Sequence, residues 1–482
     1  MSQQTIVKSY GNYINGKWVG KDLPTRDVTN PVTNEVIGHV PNGGTKETKE
    51  AIEAAHIAFA TWSQTTAYDR GKLLRKLHEL VLENKEELAK TMTLEMGKPI
   101  RESRGEVDSV ASFLDWYAEE GKRIYGETIP THNSNKRLQV WKKPVGVVGA
   151  ITPWNFPAGM LARKMGPALA AGCTIVIKPS SESPLTAIKI VELCEQAGFP
   201  KGVVNLVTGS SQEIGDELMA NQKVRKITFT GSTEVGKQLI EQSAAQVKRL
   251  SLELGGHAPV IVLDDANIDL AVREAVASAF RNTGQTCVCA NRIYVQEGIH
   301  DQFVERFVEA VKGLNVANSI EETADIGPLI NKSSLNKVIE QVEDAIQKGA
   351  KVAYGGERLQ ELGENFYKPT VLCDVDPSMI VMHEETFGPL APIQKITSIE
   401  EAATLANDTP YGLAAYVFTN NVSKGMKLIE KLEYGIIGWN DGVPSTTQAP
   451  FGGMKESGVG REGGHEGIEP YIESQFVSIS LE

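Results

Sequence analysis

The sequence predicts an α/β fold built on open, largely parallel sheets, and two observations lead to this prediction. Short β-branched runs alternate along the chain with amphipathic helical stretches, which is the pattern of βαβ units. The chain has 482 residues, of which 41% are hydrophobic and 23% charged, and this is enough for about two or three domains with cores of their own. No low-complexity linker or internal repeat interrupts the alternation.

Four predicted strands lie in the first half of the chain: VGVVGAI (145–151), TIVIK (174–178), VVNLV (203–207) and KITFT (226–230). Open parallel sheets bind ligands beyond the carboxyl ends of their strands, so the loops after these strands are the expected place for a site. A second α/β segment begins near HAPVIVLDD (257–265) and reaches about residue 455. Two peripheral strands, RLQVWKKP (137–144) and QFVSISL (475–481), are candidates to pair with strands of another subunit.

Charge and cysteine content exclude several classes of protein. A net charge of −12 and the lack of a basic patch argue against nucleic acid as a partner. The uncharged run at residues 165–177 is too short to cross a bilayer, and the first residues have no apolar segment typical of a secretory signal. Five scattered cysteines suit reduced thiols better than a disulfide framework. We therefore expect a cytoplasmic protein without a nucleic-acid or membrane partner.

One candidate ligand loop follows the predicted strand at residues 226–230. In ITFTGSTEVGKQL the strand runs into Gly231, Ser232 offers a helix-capping hydroxyl, and Gly236 lets the helix pack closely. Free amides at such a helix start attract a phosphate, although the same turn is also frequent without a ligand. The neighbouring strand TIVIK ends in Lys178 and is followed by Ser180 and Ser181, which suit a ribose or its phosphate; the alternative is a lysine in solvent.

Two thiols one residue apart stand in GQTCVCANR (284–292), just past a helix with apolar residues at 272, 276, 279 and 280. A metal site is not expected, because the motif lacks a second Cys or His pair and zinc takes about four such ligands. A buried free cysteine that packs as a small hydrophobe is the simplest alternative for both Cys287 and Cys289.

Several long motifs in register resemble the aldehyde dehydrogenase superfamily: PWNFP (153–157), LELGGHAP (252–259), GQTCVCANR, HEETFGP (383–389) and APFGGMKESG (449–458). CVCANR, EYGIIGWNDG (433–442) and EGIEPYIES (466–474) are most similar to bacterial succinate-semialdehyde dehydrogenases. The resemblance implies an aldehyde dehydrogenase-like α/β fold with three parts. These are a Rossmann-type cofactor domain (1–122 and 145–255), an α/β catalytic domain (256–455) and a β-strand oligomerisation arm (123–144 and 456–482) of a homotetramer or homodimer.

The resemblance also implies the catalytic residues. Cys287 matches the nucleophile, and the chemistry needs one because a hydride leaves an aldehyde carbon only after a group has added to it. Asn155 matches the donor to the resulting oxyanion, together with the Cys287 backbone amide. Glu253 matches the base that activates water to hydrolyse the thioester. Transfer of the acyl group to coenzyme A and a non-catalytic protein are the alternatives, and the presence of Glu253 argues against the first.

For the cofactor, the resemblance implies NADP or NAD, with NADP favoured. Strictly NAD-using relatives tend to carry a glutamate where this chain has Ser181, and a glutamate there would repel a 2′-phosphate. The residues implied to bind the cofactor are Pro153, Trp154, Lys178, Ser180, Ser181, Gly231, Ser232, Gly236, Leu254, Glu385 and Phe387.

For the substrate, the resemblance implies a small semialdehyde whose carboxylate is held by Arg163 and Arg281. Ser445 approximately matches an assisting hydroxyl, in a register uncertain by one residue, and Phe156 and Phe451 resemble the walls of the aldehyde tunnel. Succinate semialdehyde is the expected substrate; glutarate semialdehyde or general aldehydes are the alternatives. Without the resemblance, Arg163 reads as part of a solvated helix face and Arg281 as a cation at a helix end.

The second thiol has two interpretations. Cys289 either forms a reversible disulfide with Cys287 that silences the nucleophile, or it packs in the core. A bridge between residues so close in sequence requires the loop to bend, which makes the bond easy to reduce.

Overall fold

The computed structural model describes residues 7–481, and within this range the chain forms 21 strands and 13 α-helices. The strands are β1 (Lys8–Ser9), β2 (Asn12–Ile14), β3 (Lys17–Val19), β4 (Thr25–Thr29), β5 (Val36–Pro41), β6 (Glu127–Ile129), β7 (Lys136–Pro144), β8 (Val147–Ile151), β9 (Thr174–Lys178), β10 (Val204–Leu206), β11 (Val224–Thr230), β12 (Arg249–Glu253), β13 (Ala258–Val262), β14 (Ala290–Gln296), β15 (Lys351–Tyr354), β16 (Thr370–Cys373), β17 (Leu390–Ile396), β18 (Ala414–Phe418), β19 (Ile436–Trp439), β20 (Gly458–Val459) and β21 (Ile472–Ser480). The helices are α1 (Thr45–Trp62), α2 (Ala67–Glu83), α3 (Lys85–Met96), α4 (Ile100–Glu120), α5 (Gly159–Ala171), α6 (Leu185–Ala197), α7 (Ser211–Ala220), α8 (Thr233–Ser243), α9 (Ile268–Phe280), α10 (His300–Lys312), α11 (Lys332–Gln347), α12 (Ile399–Asn407) and α13 (Val422–Ile429).

The first large sheet has eight strands in the order β20-β12-β11-β8-β9-β10-β2-β3. Strands β12, β11, β8, β9 and β10 are parallel, and the antiparallel strands β20, β2 and β3 complete the two edges. From β8 the chain adds β9 and β10 on one side and β11 and β12 on the other. The strand order therefore reverses between β8 and β11, and a crevice opens at the carboxyl ends of such strands.

Helices cover both faces of this sheet. Apolar side chains of α2 to α6 pack on one face, and those of α1, α7 and α8 pack on the other. Residues 174–178 of β9 are all buried, which is the pattern of a central strand of a parallel sheet. A separate three-stranded sheet, in the order β1-β5-β4, lies in the N-terminal part of the chain.

The second large sheet has seven strands in the order β15-β16-β17-β14-β13-β18-β19, all parallel except β15. Helices α9 and α10 cover one face and α11, α12 and α13 cover the other. The chain crosses from the first sheet to the second between Glu253 of β12 and Ala258 of β13, in only four residues. The carboxyl end of the first sheet is thereby tied closely to the start of the second.

The predicted α/β architecture is confirmed. All four predicted strands of the first half are present and pair in parallel, although β8 begins two residues later than expected. Gly146 has φ +128°, and the chain at Val145 is still bonded to the carbonyl of Tyr471, so the ladder starts only at Val147. Within residues 7–481, no helix is long and apolar enough to cross a membrane.

The two peripheral strands pair with each other, and their pairing with strands of another subunit stays a prediction. Strand β21 runs antiparallel to β7 over nine residue pairs, and β6 completes a sheet in the order β21-β7-β6. Gly458 and Val459, assigned from the sequence to the arm, join the first large sheet through β12. The division of the chain into three parts, which includes residues 1–6 and 482 outside the described range, stays a prediction.

Candidate active site

The thiol of Cys287 lies in the loop between α9 and β14, at the meeting point of two cavities. Helix α9 ends at Phe280, and the chain then turns sharply because Asn282, Thr283 and Gly284 have φ values of 51°, 58° and 73°. The partly buried Cys287 lines one cavity of about 340 Å³ and another of about 260 Å³. A nucleophile at this position is open to ligands from two sides.

A larger cavity, of about 480 Å³, lies at the carboxyl ends of β8, β9 and β11, where the strand order reverses. It adjoins the 260 Å³ cavity, because Pro153, Trp154, Gly231 and Ser232 line both. We call the two together the strand-end cavity. The predicted cofactor residues that line it are Pro153, Trp154, Lys178, Ser180, Ser181, Gly231, Ser232, Leu254, Glu385 and Phe387.

The strand-end cavity has the features that a dinucleotide phosphate requires. The backbone amides of Thr233 and Glu234, at the start of α8, donate no hydrogen bond to any of residues 7–481, so they are available to an anion. A Cβ atom on Gly231 would lie 2.4 Å from the ring of Phe229, so only glycine fits there without a shift. Gly236 does not line the cavity; it faces Leu254 and allows α8 to pack closely.

Lys178 ends β9 inside the wall of the cavity. Its Nζ donates to Oγ of Ser211 at 2.6 Å, and burial lowers the pKa of Lys178 to about 8. Sequence reasoning missed Ser211 and also Arg26, which lines the same cavity and lies 3.5 Å from Glu182. No local motif marks Arg26, because β4 is distant from β9 in the sequence and only the tertiary fold brings them together.

Glu385 and Phe387 come from the loop before β17. Oε1 of Glu385 accepts the amide of Gly256 at 2.9 Å, and burial raises the pKa of Glu385 to about 7. Phe387 has φ 53° and meets Trp154 edge-on, with the ring centroids 5.5 Å apart. Both residues therefore line the part of the strand-end cavity that also contains the thiol.

Two hydrogen-bond donors stand beside Cys287. The buried side-chain amide of Asn155 donates to the carbonyl of Gln285 at 2.9 Å, and its second N–H has no partner among the described residues. The backbone amide of Cys287 likewise donates to none of residues 7–481. Asn155 and the thiol loop are thus in direct contact, and two donors remain for an oxyanion.

Glu253 is the last residue of β12 and is 2% exposed, with no hydrogen-bond partner for Oε2 among the described residues. Burial, assisted by the carboxylate of Glu462, raises the pKa of Glu253 well above its usual range. Lys164 and the arginines 163 and 461 oppose this shift. A carboxylate with a raised pKa is a better proton acceptor near neutral pH than a solvated one.

The 340 Å³ cavity holds both predicted arginines together with Cys287, and we call it the arginine cavity. Cζ of Arg163, on α5, lies 4.2 Å from the ring centroid of Phe451, and its Nη1 is buried without a partner. Cζ of Arg281 lies 5.8 Å from the centroid of Phe156. Neither guanidinium forms a salt bridge or hydrogen bond within residues 7–481. Two unpaired guanidinium groups beside one thiol suit a substrate that carries a carboxylate.

The remaining predicted substrate residues also line the arginine cavity. Phe156, Phe451 and Ser445 are among its walls, whereas the hydroxyl of Thr446 donates to Gln448, so the geometry favours Ser445 for the hydroxyl. Sequence reasoning missed Glu102 and Glu106, two carboxylates of α4 in the same walls. An acid at position 106, on the buried stripe of an otherwise amphipathic helix, is the signal that marks such a residue.

Cys289 points away from the cavities into the core. It is fully buried, and its Sγ donates to the carbonyls of Ser278 and Ala279, at 3.1 and 3.0 Å, near the end of α9. These contacts fit the packing interpretation, and both thiols are free. A disulfide with Cys287 stays a prediction that requires Cys289 to leave these carbonyls.

The comparison with known proteins agrees with this geometry. Residues 18–477 match the model of the aldehyde dehydrogenase family, so the chain belongs to that family. Within residues 7–481, no group of three or more His, Cys, Asp or Glu side chains is placed to hold a metal ion.

Three relatives illustrate where in the family the chain lies. It is 52% identical to a glutarate-semialdehyde dehydrogenase from Pseudomonas putida, over 97% of each chain. It is 51% identical to the succinate-semialdehyde dehydrogenase [NADP(+)] of Escherichia coli, also over 97% of each chain. Its structure matches that of a succinate-semialdehyde dehydrogenase from Burkholderia pseudomallei with a TM-score of 0.97 and 49% identity, over 98% of each chain.

The ionisation of Cys287 gives a first testable prediction. Burial and the acids Glu385 and Glu253 raise the pKa of this thiol to about 12, against the opposing effect of Arg163 and Arg281. In the ligand-free protein the thiolate fraction should therefore rise about tenfold per pH unit up to about pH 10. The rate constant for alkylation of Cys287 by iodoacetamide, followed by peptide mass spectrometry, should rise in the same way without levelling off. N-acetylcysteine, whose rate constant for alkylation levels off above about pH 9.5, is the control. A plateau in the rate constant for Cys287 near neutral pH would contradict the prediction.

Proposed function

We propose that the protein oxidises succinate semialdehyde to succinate with NAD(P) as the hydride acceptor. The observation that carries the proposal is the arginine cavity, in which two unpaired guanidinium groups and the thiol of Cys287 line the same space. Guanidinium groups grip a carboxylate at both oxygens, which holds the other end of a short substrate at a set distance. Succinate semialdehyde has a carboxylate at one end and an aldehyde at the other.

The residues of the chain have distinct parts in the proposed reaction. Glu253 accepts the proton of the Cys287 thiol, and the thiolate adds to the aldehyde carbon to form a thiohemiacetal. The side-chain amide of Asn155 and the backbone amide of Cys287 donate to the oxygen, which becomes negatively charged in this step. A dinucleotide bound in the strand-end cavity would supply the acceptor for the hydride, and an acyl thioester would then remain on Cys287. After Glu253 has released the first proton to solvent, it takes a proton from a water molecule, whose oxygen attacks the thioester. The bond between the acyl carbon and sulfur then breaks, which frees the Cys287 thiolate and releases succinate.

The residues around the strand-end cavity support NADP, with NAD as a second cofactor. Lys178, Ser180 and Ser181 would hold the adenosine ribose and its 2′-phosphate, and the start of α8 would hold the pyrophosphate. Arg26 adds a second cation to the same wall. Glu385 would hold the nicotinamide ribose beside Cys287. The E. coli relative whose name includes NADP(+) supports the same choice.

Glutarate semialdehyde is the second candidate substrate. It differs by one methylene group, and a relative named for its oxidation is 52% identical to this chain. A hydrophobic pocket separates substrates that differ by one methylene by only about 1 to 3 kcal/mol. Turnover of both semialdehydes is therefore compatible with one arginine cavity, and the ratio of their kcat/KM values decides which is preferred.

We further propose a cytoplasmic homotetramer or homodimer assembled through the sheet β21-β7-β6. Trp141, Phe476 and Ile479 on this sheet are 44%, 61% and 39% exposed, and exposed apolar side chains of this size favour coverage by a second copy. Strand β21 forms one edge of the sheet and has no further strand partner among the described residues.

A substrate panel tests the proposed function. Arg163→Ala and Arg281→Ala should each lower kcat/KM for succinate semialdehyde. The loss should correspond to about 2 to 5 kcal/mol of transition-state stabilisation, because the carboxylate then enters without one of its two partners. The same variants should change kcat/KM for butanal, an uncharged aldehyde of equal length, much less. Lys348→Ala, which removes an exposed cation far along the chain, serves as a control. Equal losses on both aldehydes, or a wild-type preference for butanal or betaine aldehyde, would leave only a general aldehyde dehydrogenase.

Coenzyme preference is tested at Ser181. We expect a higher kcat/KM with NADP than with NAD, and Ser181→Glu should lower the value for NADP about tenfold or more through charge repulsion with the 2′-phosphate. The value of kcat/KM for NAD should stay within about threefold, because the free 2′-hydroxyl of NAD carries no charge for the glutamate to repel. Ser112→Glu, at an exposed position of α4, controls for added charge. A preference for NAD that Ser181→Glu leaves unchanged would remove the argument.

A further inference from the structure

The arginine cavity contains two carboxylates that do not pair with its arginines. Glu102 and Glu106 lie one turn apart on α4 and line the same walls as Arg163 and Arg281. A carboxylate free to move in such a cavity would form an ion pair with a guanidinium and occupy the place of the substrate. Within residues 7–481, neither glutamate forms an ion pair with Arg163 or Arg281, so other contacts must hold the two carboxylates.

Other partners hold Glu106 firmly. Its Oε1 accepts the backbone amides of Ala158 and Gly159, at 3.0 and 2.8 Å, at the start of α5, and its Oε2 accepts from the fully buried Lys98. Nζ of Lys98 also lies 3.6 Å from the ring centroid of Phe156. Lys98 thereby balances the charge of Glu106 in the cavity wall. The same carboxylate fixes the first turn of α5, the helix that carries Arg163.

Among residues 7–481, the side chain of Glu102 forms one hydrogen bond, to the loop that carries Arg281. Its Oε2 accepts the backbone amide of Asn282 at 2.8 Å, and Asn282 directly follows Arg281. Asn282 and Thr283 both have positive φ, a conformation that costs free energy in residues other than glycine and persists where surrounding contacts impose it. The side chain of Asn282 also donates to the carbonyl of Asn155 at 3.2 Å.

We propose that Glu102 is a positioning residue of the substrate site. By accepting the Asn282 amide it fixes the turn that carries Arg281, and the same bond keeps its own carboxylate from pairing with that guanidinium. Arg281 therefore stays available to the carboxylate of the substrate. This inference rests on the proposed function, since it assigns Arg281 to a substrate carboxylate.

Two variants of Glu102 separate its hydrogen bond from its charge. Glu102→Gln keeps an oxygen that accepts the Asn282 amide, whereas Glu102→Ala removes it. We expect Glu102→Ala to raise KM for succinate semialdehyde about tenfold, the effect of one lost hydrogen bond to a charged group, with a smaller change in kcat. KM for butanal should change less than about threefold, and Glu102→Gln should resemble the wild type with both aldehydes. Asp108→Asn, which removes an exposed carboxylate of the same helix, is the matched control.

Three outcomes would overturn the proposal. Equal losses of Glu102→Ala on both aldehydes would mean that Glu102 supports only the fold. A lower KM of Glu102→Gln for succinate semialdehyde would mean that the acid acts by repelling the substrate. Wild-type behaviour of Glu102→Ala would mean that the contact with Asn282 is dispensable.

A binding measurement keeps the test independent of turnover. The dissociation constant of succinate is obtained from its protection of Cys287 against iodoacetamide in protein without cofactor. We expect protection of the wild type and of Glu102→Gln, and about tenfold weaker protection of Glu102→Ala. Protection of the wild type with an unchanged constant in Glu102→Ala overturns only the role of Glu102. Failure of succinate to protect the wild type overturns the proposed function and this inference together.

Discussion

The close approach of the chain at Gly256 to the loop of Cys287 is the constraint on which the site depends. A Cβ atom at Gly256 would lie 2.2 Å from the carbonyl oxygen of Cys287, so no other residue fits at this crossing without a backbone shift. The amide of the same glycine donates to Glu385, and the hydroxyl of Ser457 donates to the carbonyl of Gly255 at 2.7 Å. The short crossing between the two sheets thus places the last residue of β12, Glu253, and the thiol at one junction.

Some ionisable side chains around this junction are buried without partners, and this lowers the stability of the fold. Burying an ionisable group without a partner is unfavourable, yet Nη1 of Arg163 and Oε2 of Glu253 are buried without one among the described residues. Perturbed ionisable groups of this kind cluster at functional sites, where a ligand or a reacting proton completes the interactions. Arg292, another buried arginine, is by contrast satisfied, because it donates to the carbonyls of His257 and Ala406 and to the hydroxyl of Tyr434. The contrast between the two arginines fits a role of Arg163 in binding a ligand.

The sequence allowed the local elements of the fold to be predicted better than their long-range pairing. Strand β9 matches its predicted bounds because a run of apolar, β-branched residues is a local signal, whereas the pairing of β7 with β21 joins segments far apart in the sequence. The same limit applies to the site. The proposed catalytic residues lie in motifs that the sequence displays, but Arg26 and Glu102 reach the cavities only through tertiary packing.

The central claim is that Cys287 carries the acyl group and that Glu253 directs its hydrolysis. Glu253→Gln retains the shape of the side chain but does not accept a proton, so it should form the Cys287 thiolate slowly and then stall at the thioester, after hydride transfer. The variant is mixed with succinate semialdehyde and NADP and quenched with acid; intact-mass and peptide mass spectrometry then show how many acyl groups it carries and where. We expect one equivalent of reduced cofactor and one succinyl group on the peptide that contains Cys287, with neither in Cys287→Ala. Continuous turnover at the wild-type rate, or an acyl group on another residue, would contradict it.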